Sequence, residues 1–161
     1  MAVLRILVAA AAVALAGTAA AQTPPAFTGP YYIVDADAET AFLIAGGTRA
    51  RSRDVGSVTA VVLVSPASQA QNNNVARLDM AYEFQCANST LRNVRTSFYR
   101  ADGTLLETLD NTGVQWEAVS PGASSEVMMA YACSGTLPEG AEPLVSLEGI
   151  QSGFAAWSAT Q

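Results

Sequence analysis

The amino-acid sequence predicts an α+β domain in which a curved antiparallel sheet of about six strands is covered on its concave face by a C-terminal helix. Three observations support this fold class. Short strand-like segments follow one another between turn signals, and the hydrophobic period becomes helical after residue 120. The third observation is that the chain has two cysteines, one in a strand-like segment at position 86 and one at position 133 near the end of the helical segment.

The N-terminus predicts export. Arg5 precedes the apolar stretch ILVAAAAVALAG, which is too short to span a bilayer, and residues 19–21 are the three alanines of a typical cleavage site. We therefore expect residues 1–21 to be a cleaved secretory signal peptide, with a retained anchor helix as the alternative. No later segment reaches the apolar length of a transmembrane helix. The sequence thus predicts an exported protein, periplasmic, cell-surface or secreted, with no stable membrane span.

The charge balance is acidic. The chain has 14 acidic residues, 8 basic residues and no histidine, and every basic residue is an arginine. Nucleic-acid binding depends on basic side chains that neutralise phosphates, so this composition argues against a nucleic-acid partner.

The first half of the chain predicts three strands. Residues 22–30 are rich in proline and glycine and predict a linker. Residues 31–37 (YYIVDAD) and 40–47 (TAFLIAGG) have strand-like composition, and residues 48–56 (TRARSRDVG) predict a loop. Residues 57–65 (SVTAVVLVS) are apolar on both faces, which predicts a central strand that is covered on both sides.

A hairpin follows. Residues 75–86 (VARLDMAYEFQC) alternate, so that one face carries Leu78, Met80, Tyr82, Phe84 and Cys86. Residues 91–103 (LRNVRTSFYRADG) alternate again and predict the second strand of the hairpin. Residues 105–113 (LLETLDNTG) and 114–119 (VQWEAV) complete the predicted sheet.

The segment SPGASSEVMMAYAC, residues 120–133, predicts the helix. Ser120 is the candidate N-cap, and Pro121 occupies the first helical position, where its missing N–H is not needed. Cys133 falls in the last turn. A helix that crosses the sheet can therefore bring Cys133 over the face that carries Cys86.

The two cysteines have three interpretations. In an exported protein, a disulfide between Cys86 and Cys133 is favoured. A reactive nucleophile is the second interpretation, although the histidine that commonly activates such a thiol is absent from the chain. Two free thiols buried as small apolar side chains are the third.

The segments YEFQC, WEAVSPG and the helix that ends in Cys133 resemble the surface-adhesin protein E family over residues 31–133. The resemblance implies an exported bacterial protein with an antiparallel sheet, a covering C-terminal helix and joined cysteines. The namesake of the family is an adhesin that binds host matrix and serum proteins. The function implied for this chain is that of a non-enzymatic envelope or surface protein that binds macromolecules, with host matrix or envelope proteins as partners.

Residues 134–161 extend past the terminal cysteine of this family pattern. We expect this C-terminal extension to be a tail that is packed or frayed on the domain. A short additional helix with Phe154 and Trp157, or a partner-binding segment, are the alternatives.

Six residues are candidates for contact with a ligand or partner, namely Tyr82, Arg95, Trp116, Arg49, Arg51 and Arg53. The alternating arginines of the last three positions have the spacing to bind an anion on one face, or to form a solvated loop or strand edge.

A second functional hypothesis is a periplasmic small-ligand binder. Its pocket would lie between the sheet and the helix and would be lined by Tyr82, Phe84, Trp116 and Met129.

The sequence predicts no catalytic residue, cofactor or metal site. Phosphate-binding loops, serine nucleophile motifs and zinc-ligand clusters are absent from it. The acidic stretch with Asp35, Asp37 and Glu39 lacks the spacing and glycine of an EF-hand, so we interpret it as a solvated turn.

Overall fold

A computed structural model describes Phe27 and residues 29–161 of the chain, so the predicted signal peptide and most of the predicted linker lie outside the described residues. The described residues form one antiparallel sheet in the order β1-β2-β3-β4-β5-β6. Its strands are β1 (Tyr31–Ala36), β2 (Thr40–Ser52), β3 (Val55–Val64), β4 (Arg77–Gln85), β5 (Thr90–Tyr99) and β6 (Leu105–Asp110). A two-residue strand, β7 (Glu117–Ala118), pairs with β5.

Three helices complete the fold, namely α1 (Pro66–Gln69), α2 (Ser124–Ser134) and α3 (Leu147–Ser158). The predicted α+β class, the antiparallel sheet of six main strands and the C-terminal helix joined to the sheet by a disulfide are confirmed. No helix among the described residues is long and apolar enough to cross a membrane.

The predicted loop at residues 48–56 is wrong. Strand β2 continues to Ser52 and β3 begins at Val55, so the two strands form a hairpin with Arg53 and Asp54 at its turn. The alternation of arginine with small residues suits a strand whose end is exposed to solvent. A register shift between Ala45 and Ala50 lets the strand continue past the two glycines.

The predicted helix start at Ser120 is also wrong, because α2 begins at Ser124. Gly122 has φ of 75°, a left-handed conformation that a right-handed helix does not contain. Its N–H donates a hydrogen bond of 2.7 Å to the Glu126 carboxylate. Residues 120–123 therefore form a turn that precedes the helix.

Helix α2 covers one face of the sheet. Its buried residues Met128 and Ala132 pack into a cluster with Ile44 and Phe84. A Cβ atom at Gly56 would lie 2.8 Å from the backbone of Ala132, so the helix rests directly on β3 at a position that only glycine can fill.

This close approach brings the end of α2 to the end of β4. Cys86 and Cys133 are joined there, with their Cα atoms 5.8 Å apart, inside the usual range for a disulfide. The predicted pairing of the two cysteines is confirmed.

Helix α3 packs on the opposite face. Phe154 lies in a cluster with Tyr31, Leu43, Val61 and Leu63, all of which are buried. The C-terminal extension thus forms the second cover of the sheet, and the prediction that β3 is covered on both sides is confirmed.

The extension is also bonded to the edge of the sheet. The N–H of Tyr31 donates to the Leu144 carbonyl at 2.7 Å, and the N–H of Leu144 donates to the Tyr31 carbonyl at 2.9 Å. This isolated antiparallel bridge fixes the chain just before α3 begins.

Candidate functional site

The face of the sheet opposite α2 is divided into two halves. Phe154 of α3 packs against residues of β1, β2 and β3, whereas β4, β5 and β6 carry charged side chains on the same face. Because successive side chains of a strand point to opposite faces, Glu83 points away from α2 when Phe84 points toward it. We name the exposed charged half, with Trp116 beside it, the arginine–tryptophan patch: Glu83, Arg92, Arg95, Asp110 and Trp116.

Arg92 is the best-anchored residue of the patch. Its Nε and Nη2 atoms donate to the Glu83 Oε2 atom at 2.8 and 2.6 Å. Its guanidinium carbon lies 4.5 Å from the centre of the Trp116 ring, a cation–π distance. The side chains of Arg92 and Glu83 are 29% and 31% exposed, so the pair remains accessible from solvent.

A second ion pair forms the outer side of the patch. Arg95 Nε lies 2.8 Å from Asp110 Oδ1, which links β5 to β6. Both side chains are 61% exposed, so solvent screens the pair and its contribution to stability is small. Between the two ion pairs runs a groove of about 350 Å³ whose lining includes Ala81 and Val94.

The edge strand β6 carries exposed apolar side chains. Leu105, Leu106 and Leu109 are 37%, 36% and 42% exposed. Because successive side chains of a strand point to opposite faces, Leu109 points away from the face that carries Asp110. The three leucines therefore do not form one apolar border of the patch.

A buried ion pair on β4 lies on the same face. Asp79 is 7% exposed and its Oδ1 atom lies 3.1 Å from Arg77 Nε. The Arg77 guanidinium in turn lies 3.9 Å from the centre of the Tyr99 ring. Burial raises the pKa of Asp79 to about 6, because the loss of hydration outweighs the attraction of Arg77.

We expect the free energy of unfolding to fall as the pH rises from about 4 to about 6. Asp79 binds its proton more tightly in the folded protein, with a pKa of about 6 against an ordinary value of 3.8. Stabilisation from the protonated group is therefore lost as the pH rises through the folded pKa. A pKa difference of this size corresponds to a change of about 3 kcal/mol in the free energy of unfolding.

Urea unfolding of the wild type and of Asp79→Asn at several pH values in this range measures the effect. The chain has no histidine to titrate at similar pH. Backbone amides lower the pKa of Asp37 and Asp102, so these carboxylates lose stabilisation only at more acidic pH. An Asp79→Asn protein with the same decline as the wild type would show that Asp79 is not its source.

The structure separates the three arginines of β2 and its turn from the patch. Arg49 Nε donates to the Tyr131 carbonyl at 2.7 Å, and Arg51 Nη1 donates to the Cys133 carbonyl. These carbonyls lie in the last turn of α2, where cations are favourable. Arg53 lies in the β2–β3 turn with φ of 55°. Arg49 and Arg51 thus hold the helix end that carries the disulfide.

The candidate pocket residues do not all lie together. Phe84 is fully buried, and Tyr82 and Met129 pack against the same cluster under α2. Burial also raises the pKa of Tyr82. Trp116 lies instead against Arg92. Three of the four residues therefore belong to the packed cluster between the sheet and α2, and Trp116 does not.

Of the predicted contact residues, the structure places Arg95 and Trp116 in the patch. Asp110 was not among the predicted contact residues, because its pairing with Arg95 depends on the register of β5 and β6.

The acidic turn binds its own backbone. The Asp37 Oδ1 atom accepts from the N–H of Glu39 at 2.8 Å and of Thr40 at 2.7 Å. Within residues 29–161 and at Phe27, no group of three or more acidic or cysteine side chains is arranged to hold a metal ion.

Comparison with known proteins gives one family. The model of the family described as surface-adhesin protein E matches residues 33–134. Among solved structures, the chain is similar to protein E from non-typeable Haemophilus influenzae, with 13% identity, a TM-score of 0.44 and coverage of 86% of this chain and 93% of the other. No curated protein sequence matches the chain.

Proposed function

The chain belongs to the surface-adhesin protein E family, and we propose that it is a non-enzymatic, exported envelope or surface protein that binds another macromolecule through the arginine–tryptophan patch. Its partners are host matrix proteins or proteins of the bacterial envelope. The family supports a surface protein of the adhesin type. The geometry of the patch supports the choice of binding surface.

The observation that carries the proposal is the position of Arg92 between Glu83 and Trp116. Arginine and tryptophan are the residues most often found at the energetic centre of protein interfaces. A side chain that is already oriented loses little conformational entropy when a partner binds, so more of the contact energy is retained as affinity. The Glu83 carboxylate and the Trp116 ring provide this orientation in the free protein.

The inventory of reactive groups supports a non-enzymatic role. The chain has no histidine, and its two cysteines are joined in the disulfide. Each charged side chain of the patch forms an ion pair with a side chain of opposite charge.

The test is a binding panel. The exported protein is immobilised and exposed to purified matrix proteins and to envelope proteins of the source bacterium, and dissociation constants are measured by biolayer interferometry. We expect at least one protein of the panel to bind. Trp116→Ala should then weaken binding by about tenfold or more, because truncation of an aromatic residue at the energetic centre of an interface costs about 2 kcal/mol or more and tenfold corresponds to about 1.4 kcal/mol.

Trp157→Ala is the matched control. It removes the other tryptophan of the chain, which lies on α3 and outside the patch. A protein that binds through the arginine–tryptophan patch should bind this variant as tightly as the wild type. Equal losses in the two variants, or no binding across the panel, would contradict the proposal.

A further inference from the structure

Helix α3 does not fill the space beside the first hairpin. An open apolar groove of about 570 Å³ lies between them. Its walls include Ile33, Val145, Ile150, Phe154 and Trp157. Ile33 and Trp157 are 49% and 42% exposed, and Val145 is 84% exposed. The C-terminal extension and the first hairpin therefore form an exposed apolar groove, and the protein that carries it has an excess of acidic residues.

A glycine keeps this groove open. Gly153 lies in the interior of α3, where glycine is a poor helix former. A Cβ atom built on Gly153 would meet no heavy atom within 4 Å, so close packing does not require glycine here. Because Gly153 also lines the groove, a larger side chain at this position would occupy the space.

The groove adjoins a free strand edge. Tyr31 directs its N–H and carbonyl outward to Leu144. Backbone groups of alternate residues point to the same side of a strand, so those of Ile33 also point outward. Within the described part of the chain, β1 pairs only with β2 and, at Tyr31, with Leu144. An extended peptide can therefore hydrogen-bond to β1 at Ile33 and place an apolar side chain in the groove.

The chain segments that form the groove carry charge of one sign. The chain stretches 31–48 and 134–161, which supply all of its lining, contain six carboxylates and no arginine or lysine. All six are exposed: Asp35, Asp37, Glu39, Glu139, Glu142 and Glu148. None of them takes part in an ion pair among the described residues. This field favours a cationic partner and opposes a fatty acid or a second copy of the same acidic surface.

We propose that this groove binds an extended basic segment of a partner protein, in which apolar residues alternate with lysine or arginine. The apolar side chains enter the groove between α3 and β1, the peptide backbone continues the edge of the sheet, and the basic side chains face the six carboxylates. This site is separate from the arginine–tryptophan patch and does not depend on it.

The probe is an eight-residue acetylated and amidated peptide of alternating leucine and lysine. A peptide with glutamate in place of lysine and free dodecanoate are the comparison ligands. Each is titrated into the 15N-labelled exported protein. We expect the basic peptide to bind at least tenfold more tightly than either comparison ligand and to shift the resonances of Gly153 and Trp157. Sedimentation at the same concentrations measures self-association.

Gly153→Leu fills the groove, and Gly113→Leu is its matched control, because Gly113 also has open space around a built Cβ but lies outside the groove. The first variant should weaken the basic peptide at least tenfold with no loss of melting temperature, and the second should bind as the wild type does. The proposal is overturned by equal binding of the two peptides, by tighter binding of dodecanoate, by unchanged binding to Gly153→Leu, or by a groove that is occupied by a second copy.

Discussion

Replacement of Cys133 with serine is expected to lower the free energy of unfolding by about 4 kcal/mol. The bond joins residues that are 47 positions apart. On the chain-entropy model, a crosslink that closes a loop of this length lowers the conformational entropy of the unfolded chain, and its removal restores that entropy. For a chain of this size, the melting temperature should fall by roughly 10 °C. The disulfide also holds the last turn of α2 against the end of β4, so the loss includes local packing.

Thermal and urea unfolding of the oxidised wild type and of Cys133→Ser measure this effect. Two controls isolate the bond from the side chain. Cys86→Ser should behave as Cys133→Ser does, and reduced wild type should unfold close to both variants. A Cys133→Ser protein that melts with the oxidised wild type would show that the bond contributes no stability.

Phe154→Ala is expected to have the second largest effect, a loss of about 3 kcal/mol in the free energy of unfolding. The Phe154 side chain is 8% exposed and belongs to the cluster with Leu43 and Val61. Its truncation leaves a cavity between α3 and the sheet and weakens the contact that holds the C-terminal extension in place.

Trp157→Ala is the control for this effect, because it removes a larger aromatic side chain from the same helix at a position that is 42% exposed. We expect a smaller loss there, because truncation of a partly exposed side chain leaves no enclosed cavity in the core. Urea unfolding distinguishes the two variants. If Phe154→Ala costs no more than Trp157→Ala, α3 is not a structural cover of the sheet.

The sheet could be predicted because its physical causes are local. The alternation in β4 places Phe84 under α2 and Glu83 on the other face, and both positions follow from the period of a strand. The apolar character of β3 on both faces likewise required two covers. The second cover, a helix with Phe154 and Trp157, was only an alternative in the sequence analysis, because the segment that holds α3 begins with irregular, proline-containing residues and its glycines weaken the helical pattern.

The candidate site was harder to predict because its residues are distant in the chain. Arg92 and Trp116 meet only after β5 and the segment beyond β6 fold back on the same face. Arg49 and Arg51 appeared equally available in the sequence, but α2 ends against them and its carbonyls accept their hydrogen bonds. Which arginines remain for a partner is therefore decided by tertiary contacts.

Arg92 is the central residue of the proposed binding surface, and a comparison of two arginine variants tests its role directly. Once a partner is identified in the panel, its dissociation constant is measured for the wild type, Arg92→Ala and Arg100→Ala, each first shown to be folded. Arg100 is exposed and forms no ion pair with the described residues. Its replacement by alanine changes the net charge by the same amount as Arg92→Ala does. We predict that Arg92→Ala weakens binding about tenfold or more and that Arg100→Ala leaves it within about twofold. Equal effects of the two variants would contradict recognition through the arginine–tryptophan patch.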